Sequence, residues 1–429
     1  MKEPRTPSRK TYLLRRSSLA GIIRIGLIAG FYIILNSVSL PRPVFSHSLQ
    51  DVSCLNSISS KDAILVADPD GQILYRKNET IKCIPASTLK LLTALAAIHH
   101  LGNSFRFRTE FYMDTDQNLV VKSYGDPLLI SEVWQEIADA LAKEIRNFKA
   151  LILDDTYFSR NIRIPGRGNS TNPYDAPAGA LCANFNTIFF DRDKQGQIIS
   201  AESHTPMIPY VSQKIRVLGL RQGRYTFSHD HEETARYAGK LLLHFLKERD
   251  VVSQGTIHLR TVKPGDRLIH TYLSRFTLEQ AIEKMMGFSN NFMANQILIA
   301  LGAYVYGPPG TLAKGVKVVS AYASEELGLK DIEFVEGSGI SRKNRVSALD
   351  MLVILRAFRP YRHLLKSSGE VLYKTGTLRG VRTRVGYIET ARKEPFCFVI
   401  FLNRANSADI LSLMECIKGF ILDCPGNRR

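Results

Sequence analysis

The chain has 429 residues, a formal net charge of +17 at pH 7, 45% hydrophobic and 23% charged residues. This is a globular composition, long enough for two domains or for one domain with a large insertion, and it excludes low-complexity and collagen-like chains. No internal repeat is present and no nucleic-acid-binding motif accompanies the charge, so the diffuse positive field points to a membrane surface or anionic wall polymer, with no nucleic acid as partner.

The N-terminus stands apart. Lys2, Arg5, Arg9, Lys10, Arg15 and Arg16 precede an apolar run that Arg24 interrupts once and that is free of charge from Ile25 to Leu40. Pro41-Arg42-Pro43 and the small residues Ser46 and Ser48 follow. A basic start, an apolar core and a small-residue exit describe an export signal or a retained membrane anchor over 1–46. Export would place the six cysteines, Cys54, Cys83, Cys182, Cys397, Cys416 and Cys424, where disulfides persist. None has metal-ligand spacing, and Cys54 with Cys424 could bridge the two ends of the mature chain, or all six could be buried thiols.

Asp62 to Ala67 and Gln72 to Arg76 read as a hairpin around the turn sequence Asp68-Pro69-Asp70-Gly71. A helix apolar nearly all round follows, beginning at Ser87 and ending near Gly102, which implies a buried central helix. Arg106 to Met113, Leu119 to Tyr124 and Ala150 to Asp154 read as strands. Between the last two lies a helix from Ser131 to Phe148 with Ser131 as its cap. Ile164 to Tyr174 is a Gly-, Asn- and Pro-rich loop, Phe185 to Asp191 and Gln197 to Ser200 are strands, and Glu232 to Arg249 is a helix. Helices are expected over Phe276–Met286, Asn291–Leu301 and Ser347–Arg359, a loop over Glu336–Ser341, and strands over Val371–Thr375, Thr383–Ile388 and Phe396–Asn403. A last helix runs from about Ala408 to Leu422. The two ends of the chain would thus build one sheet, with the middle as an insertion. That divides the chain into an export segment (1–46), a first part of the sheet domain (47–105), the insertion (106–261) and a second part (262–429).

Three short patterns carry chemistry. Ser87-Thr88-Leu89-Lys90 places an amine three residues from a hydroxyl, on the same helix face, at a helix start whose dipole favours a developing oxyanion. A serine hydroxyl needs such a base, and a lysine serves if burial or a cationic neighbour lowers its pKa. Ser289-Asn290-Asn291 supplies S-x-N before a second apolar segment, and Lys374-Thr375-Gly376-Thr377 supplies K-T-G on a strand. Each has a plainer reading: a helix-start serine with a solvated lysine, two helix caps at Ser289 and Asn291, and an exposed strand lysine at Lys374. Asp126 and Asp155 read as turn residues, and none of the ten histidines has a paired carboxylate or metal-ligand spacing.

The trio in this order is that of penicillin-binding proteins and class A β-lactamases. From about Asp62 to Asn403 the chain resembles the D-alanyl-D-alanine carboxypeptidase/endopeptidase family, the class C low-molecular-mass penicillin-binding proteins. The wide interval from Ser87 to Ser289 matches the family's insertion. Tyr124-Gly125-Asp126-Pro127-Leu128-Leu129 is similar to its G-G-D-P-x-L, Leu153-Asp154-Asp155-Thr156-Tyr157-Phe158 to its D-D-S-x-F, and Glu336-Gly337-Ser338-Gly339-Ile340-Ser341-Arg342 to its D-G-S-G-L-S-R. The chain departs from the pattern at Asn295, where the family usually has Glu, at Glu336, where it has Asp, and in a shortened segment between Arg342 and Lys374.

The resemblance implies an α+β fold: a β-lactamase/transpeptidase-like domain, an antiparallel sheet with helices on both faces, interrupted by a large α/β insertion domain. It implies that Ser87 attacks the penultimate D-Ala carbonyl of a peptidoglycan stem peptide. Lys90 would take the Ser87 proton, Ser289 would relay a proton to the leaving amine, and Asn291 would orient Lys90 and the substrate. Lys374 would supply positive charge, Thr375 and Thr377 would face the terminal carboxylate, and Gly376 would leave room for the substrate. The backbone N–H groups of Ser87 and Thr377 would form the oxyanion hole. It implies no metal and no organic cofactor, peptidoglycan peptides as partners, and β-lactam antibiotics as covalent inhibitors. A β-lactamase and an inactive wall-binding protein are the competing readings.

Overall fold

The computed structural model describes residues 58–392, 394–404, 409–423 and 427. The N-terminal basic and apolar segment, Cys54 and Cys424 lie outside the described residues. Strands β1 (Ala63–Ala67) and β2 (Ile73–Lys77) form the expected hairpin, with Gly71 at φ +92° in its turn, a conformation that favours glycine. A 3-10 turn (Ala86–Leu89) runs into helix α1 (Lys90–Leu101), which is buried from Lys90 to Ile98.

Then come β3 (Arg108–Met113), β4 (Leu119–Ser123), α2 (Ser131–Glu144), β5 (Leu151–Asp154), β6 (Thr187–Arg192) and β7 (Ile198–Ser200). They are followed by α3 (Pro209–Val217), β8 (Gly223–Thr226), α4 (His231–Lys247), β9 (Ile257–Leu259) and β10 (Arg267–Leu273). The remaining elements are α5 (Leu278–Phe288), α6 (Asn291–Tyr306), α7 (Leu312–Glu325), α8 (Ala348–Phe358), β11 (Lys366–Ser368), β12 (Val371–Leu378), β13 (Val381–Ile388), β14 (Phe396–Leu402) and α9 (Ile410–Asp423).

The first sheet is antiparallel, in the order β11-β12-β13-β14-β1-β2, so strands from both ends of the chain share it. Every residue of β1 and β14 is buried, which requires cover on both faces. Helix α8 packs on β1 and β14, and α9 on β13. The second sheet, β10-β3-β4-β5-β9, is mixed: β4, β5 and β9 run parallel and the rest antiparallel. A third, small antiparallel sheet is β7-β6-β8. Strand β10 lies beyond the end given to the insertion from sequence, yet it is hydrogen-bonded to β3 along its length.

Ser131 does not cap α2. It is the first helical residue, Ile130 occupies the cap, and the Ser131 N–H and Oγ both reach Asn184 Oδ1, so a distant loop satisfies the free helix end. The helix stops at Glu144, four residues before the expected end, where Ile145 turns to extended backbone.

Helices α6 and α7 cross at two glycines. A Cβ on Gly302 would lie 2.5 Å from the Gly315 nitrogen, and one on Gly315 would lie 2.3 Å from the Leu298 oxygen. The crossing seats α6, buried from Phe292 to Ala303, deep beside α1. Gly315→Ala gains helix propensity but overpacks the crossing, and overpacking dominates at about 1–3 kcal/mol. The variant is expected to unfold at lower urea concentration; an unchanged or raised midpoint would show that the crossing is not tight.

Candidate active site

The turn that carries Ser87 is made before the helix begins. Ala86 sits at φ +48°, a left-handed conformation uncommon for a residue with a side chain. Its neighbours hold it there: the Pro85 carbonyl accepts from Thr383 Oγ1 (2.8 Å) and Thr88 Oγ1 (2.7 Å), and Ile84 exchanges hydrogen bonds with the Asn403 amide. Ser87 therefore lies in a 3-10 turn rather than in the α-helix proper. In a 3-10 turn residues three apart eclipse, which stacks Lys90 over Ser87 more directly than an α-helix would.

Lys90 Nζ is 3.0 Å from Ser87 Oγ. It donates to Asn291 Oδ1 (2.8 Å) and to the Ser338 carbonyl (2.7 Å). The side chain is fully buried, and burial holds its pKa well below the usual lysine range, with the Lys374 charge adding to the shift and Glu336 opposing it.

Both caps weighed for the S-x-N segment are absent, because Asn290 does that work. Its side chain accepts from the Met293 N–H at 3.0 Å. Ser289 instead ends α5 in the left-handed region (φ 53°), and its Oγ accepts from Lys374 Nζ at 2.8 Å. One asparagine satisfies the helix end, and the residues on either side of it are free to meet the two lysines.

Lys374 is buried on β12 and donates also to the Thr375 carbonyl at 2.8 Å. Burial pushes its pKa down to about 8, with Lys366 as a second cause. Thr375 and Thr377 are exposed on one face of the strand and Lys374 and Gly376 buried on the other, the period-two alternation of a strand. Strand β11 pairs only with Val371 to Tyr373, so from Lys374 onward the outer edge of β12 has no strand partner among the described residues. A Cβ on Gly376 would lie 2.4 Å from Thr383 Oγ1 and 2.8 Å from the Ser87 nitrogen, so the missing side chain makes room for the Ser87 turn.

Ser87, Ser289, Asn291 and Thr377 line one cleft of about 1020 Å³, walled also by Tyr174 and Arg342. Asp126 stays with its turn, accepting from the Leu128 N–H, while burial raises its pKa to about 6. Asp155 does find a histidine: His231 Nδ1 is 2.8 Å from Asp155 Oδ2, joining the exit of β5 to the first turn of α4, a pairing across the fold that spacing cannot reveal.

Sequence reasoning missed the buried shell behind Lys90. Glu336 is fully buried and accepts five hydrogen bonds, from Asn295 Nδ2, Ser338 N, Ser338 Oγ, Ser341 N and Asn344 Nδ2. This ties down the loop whose Ser338 carbonyl receives Lys90. Asn295 is suited to its place because an amide both donates and accepts: it gives to Glu336 and takes the Gly337 N–H at 2.8 Å. A second carboxylate there would face Glu336 and force one of the two to hold a proton. The Glu-Gly-Ser-Gly run was the available signal, but the key contact is a backbone carbonyl, which no side-chain motif displays.

The model of the D-Ala-D-Ala carboxypeptidase 3 (S13) family matches residues 57–362. The D-alanyl-D-alanine carboxypeptidase DacB of Haemophilus influenzae is 24% identical over 88% of this chain and 93% of its own. The D-alanyl-D-alanine carboxypeptidase of an Actinomadura species is 24% identical over 89% and 84%. The crystal structure of penicillin binding protein 4 (dacB) from Haemophilus influenzae matches with a TM-score of 0.69 at 20% identity, over 86% of this chain and 98% of that one. The β-lactamase/transpeptidase-like α+β architecture is thereby shared.

Glu336→Gln removes the charge that opposes the Lys90 shift, so Lys90 is expected to titrate at still lower pH in the variant. It also introduces an amide donor among donors and should cost about 1–3 kcal/mol of stability. Lysine side-chain NMR across a pH series, with a urea unfolding curve, checks both; a Lys90 titration that stays put or rises would dissociate Glu336 from Lys90.

Proposed function

Because the chain belongs to the D-Ala-D-Ala carboxypeptidase 3 (S13) family, we propose that it works as a serine-type D-Ala-D-Ala carboxypeptidase on peptidoglycan stem peptides, through an acyl-enzyme on Ser87. The observation that carries the roles is the hydrogen-bond count at Lys90. A neutral amine has two N–H donors and one lone pair. The Asn291 and Ser338 oxygens take the two donors, which leaves the lone pair for the Ser87 hydroxyl at 3.0 Å. The depressed pKa supports that neutral state.

The steps follow. Ser87 Oγ forms a bond to the carbonyl carbon of the penultimate D-Ala as Lys90 takes its proton. The oxyanion sits at the Ser87 and Thr377 N–H groups, at the start of the helix. The C–N bond breaks, and the proton returns to the leaving amine by way of Ser289, which the Lys374 ammonium orients. Thr375 and Thr377 receive the terminal carboxylate, which the Lys374 charge behind them attracts, and the open edge of β12 accepts the substrate backbone as an added strand. Water then hydrolyses the ester with Lys90 as the base. A β-lactam enters as a strained analogue of the same dipeptide and leaves a stable acyl-enzyme. The same site cuts a cross-link if the cleft admits the longer acceptor, which makes the enzyme an endopeptidase as well.

We also place the enzyme outside the cytoplasm. Cys416 is disulfide-bonded, and such bonds persist in oxidising compartments, whereas Cys83, Cys182 and Cys397 are buried free thiols. Among the described residues no helix is long and apolar enough to cross a membrane. We read the middle of the chain as an inserted module and extend it from 106 to 274. Support comes from the β10–β3 pairing and from the closeness of the two crossings, where the Ser274 N–H donates to the Phe107 carbonyl at 2.8 Å and Arg106 to the Ser274 carbonyl at 2.7 Å.

Ser87→Ala should fold as the parent does and lose all covalent labelling by a fluorescent penicillin; a labelled variant would move the nucleophile elsewhere. The pH profile gives a second test. Acylation needs Lys90 neutral, so it should fall toward acid as Lys90 gains its proton. It needs Lys374 charged, so it should also fall above about pH 8 as that ammonium loses its own. Lys90→Arg keeps the charge and cannot give up its proton, and is expected to acylate at least about a hundredfold more slowly. Near-normal acylation by this variant in rapid-mixing experiments would name a different base.

A further inference from the structure

We propose that the inserted module carries a second binding site, a groove for an extended glycan that bears a carboxylate on every second sugar; the proposal rests on the reading of the chain as a wall enzyme. The groove has a volume of about 750 Å³ and lies between the start of α3, one face of α4 and the loop after it. Lys240, His244 and Lys247 line it from α4, at the i, i+4, i+7 spacing of a single helix face. Lys240 and Lys247 make no ion pair with any described residue, although both stand on the groove wall. His244 is held by Glu248 at 3.2 Å, and Asp250 is the one acidic residue on the lining.

The aromatic member is Tyr210. Its ring is half-buried and is fixed edge-on against Phe227, with Lys240 Nζ 5.2 Å from its centroid. Plate and cation thus meet on the groove wall, the pairing that receives the apolar face of a sugar together with its acidic substituent. Val252, also on the lining, is 67% exposed, an apolar surface left to the ligand.

The spacing chooses among anions. Seven residues of helix separate Lys240 from Lys247, a rise of about 10 Å along the axis. That is close to the disaccharide repeat of an extended β-1,4-linked glycan, in which one sugar of each pair carries the acidic substituent. A lone phosphate or a single carboxylate would use one lysine and leave the other unpaired. A polymer with a carboxylate at each repeat engages both while the intervening sugar lies on Tyr210 and Val252. The site would hold a stretch of strand already stripped of its peptides while the Ser87 cleft works on peptides attached elsewhere along it.

The test uses the Ser87→Ala protein, so that binding is read without cleavage. The probes are peptide-free wall glycan strands, whose muramic acid carboxylates are free, and neutral chitin oligosaccharides of the same length. Calorimetry should show binding of the acidic strands that weakens with salt, with neutral strands bound about tenfold more weakly or not at all. Lys240→Glu combined with Lys247→Glu should abolish it, and Lys240→Gln combined with Lys247→Gln should weaken it about tenfold. In the Ser87 background neither pair should alter penicillin labelling, which tests the peptidase reading separately. No binding of acidic strands, equal binding of neutral strands, or full binding by the lysine variants would each overturn the proposal.

Discussion

The site depends on one buried amine. Lys90 reaches a hydroxyl on its own turn, an amide at the start of α6 and a carbonyl in the loop after Glu336. Those three partners come from segments far apart in sequence, so the amine that we propose as the base also works as a pin. An ammonium so buried costs several kcal/mol in desolvation, and among the described residues no carboxylate pairs with it to offset that cost. The protein therefore favours the uncharged form, and the uncharged form is the one with a lone pair to offer. Burial, the feature that makes Lys90 costly to fold around, is also what leaves its lone pair unprotonated beside the Ser87 hydroxyl.

The second lysine is handled differently. Lys374 is nearly as buried, but its pKa falls only to about 8, so it keeps its charge near neutrality. It is held by the Ser289 oxygen and by the Thr375 carbonyl at its own place on the strand. The two lysines thus diverge, one neutral and one charged, and the charge on Lys374 lowers the tendency of Lys90 to take a proton. Glu336 stands one layer behind. Its carboxylate is spent on five donors rather than on Lys90, so it fixes the loop geometry and leaves the amine unneutralised.

Much of this was legible in the sequence. The spacings of Ser87 with Lys90, Ser289 with Asn291 and the Lys374 to Thr377 run are local, and local geometry on a turn, a cap and a strand places their side chains. The hairpin, α1, α4 and the three late strands were legible for the same reason: strong periodicity between turn residues. What escaped was non-local. Strand β10 has an exposed, irregular burial pattern that alternation alone does not identify, and its place in the second sheet is set by its pairing with β3. Ser131 has the composition of a cap but is served by Asn184, and a tertiary contact overrode the propensity. The Ser338 carbonyl carries no residue identity, so its role appears only once the loop is folded.

The segment that we read as an inserted module is bound into the site rather than hung beside it. Its Gly179 exchanges hydrogen bonds with the Gln296 amide on α6, and its Phe185 packs edge-on against Phe292 one turn earlier. These contacts fall on the first two turns of the helix that begins with Asn291, the residue that holds Lys90. Pro165, Gly166, Pro173 and Tyr174 of the module form a wall of the cleft itself. Gly166 fits only because it lacks a side chain: it stands at φ +86°, and a Cβ would lie 2.7 Å from Ser341 Cα. A shift of the module would therefore alter both the width of the cleft and the seat of α6. Gln296 and Phe292 thus connect this segment mechanically to the helix whose Asn291 holds Lys90.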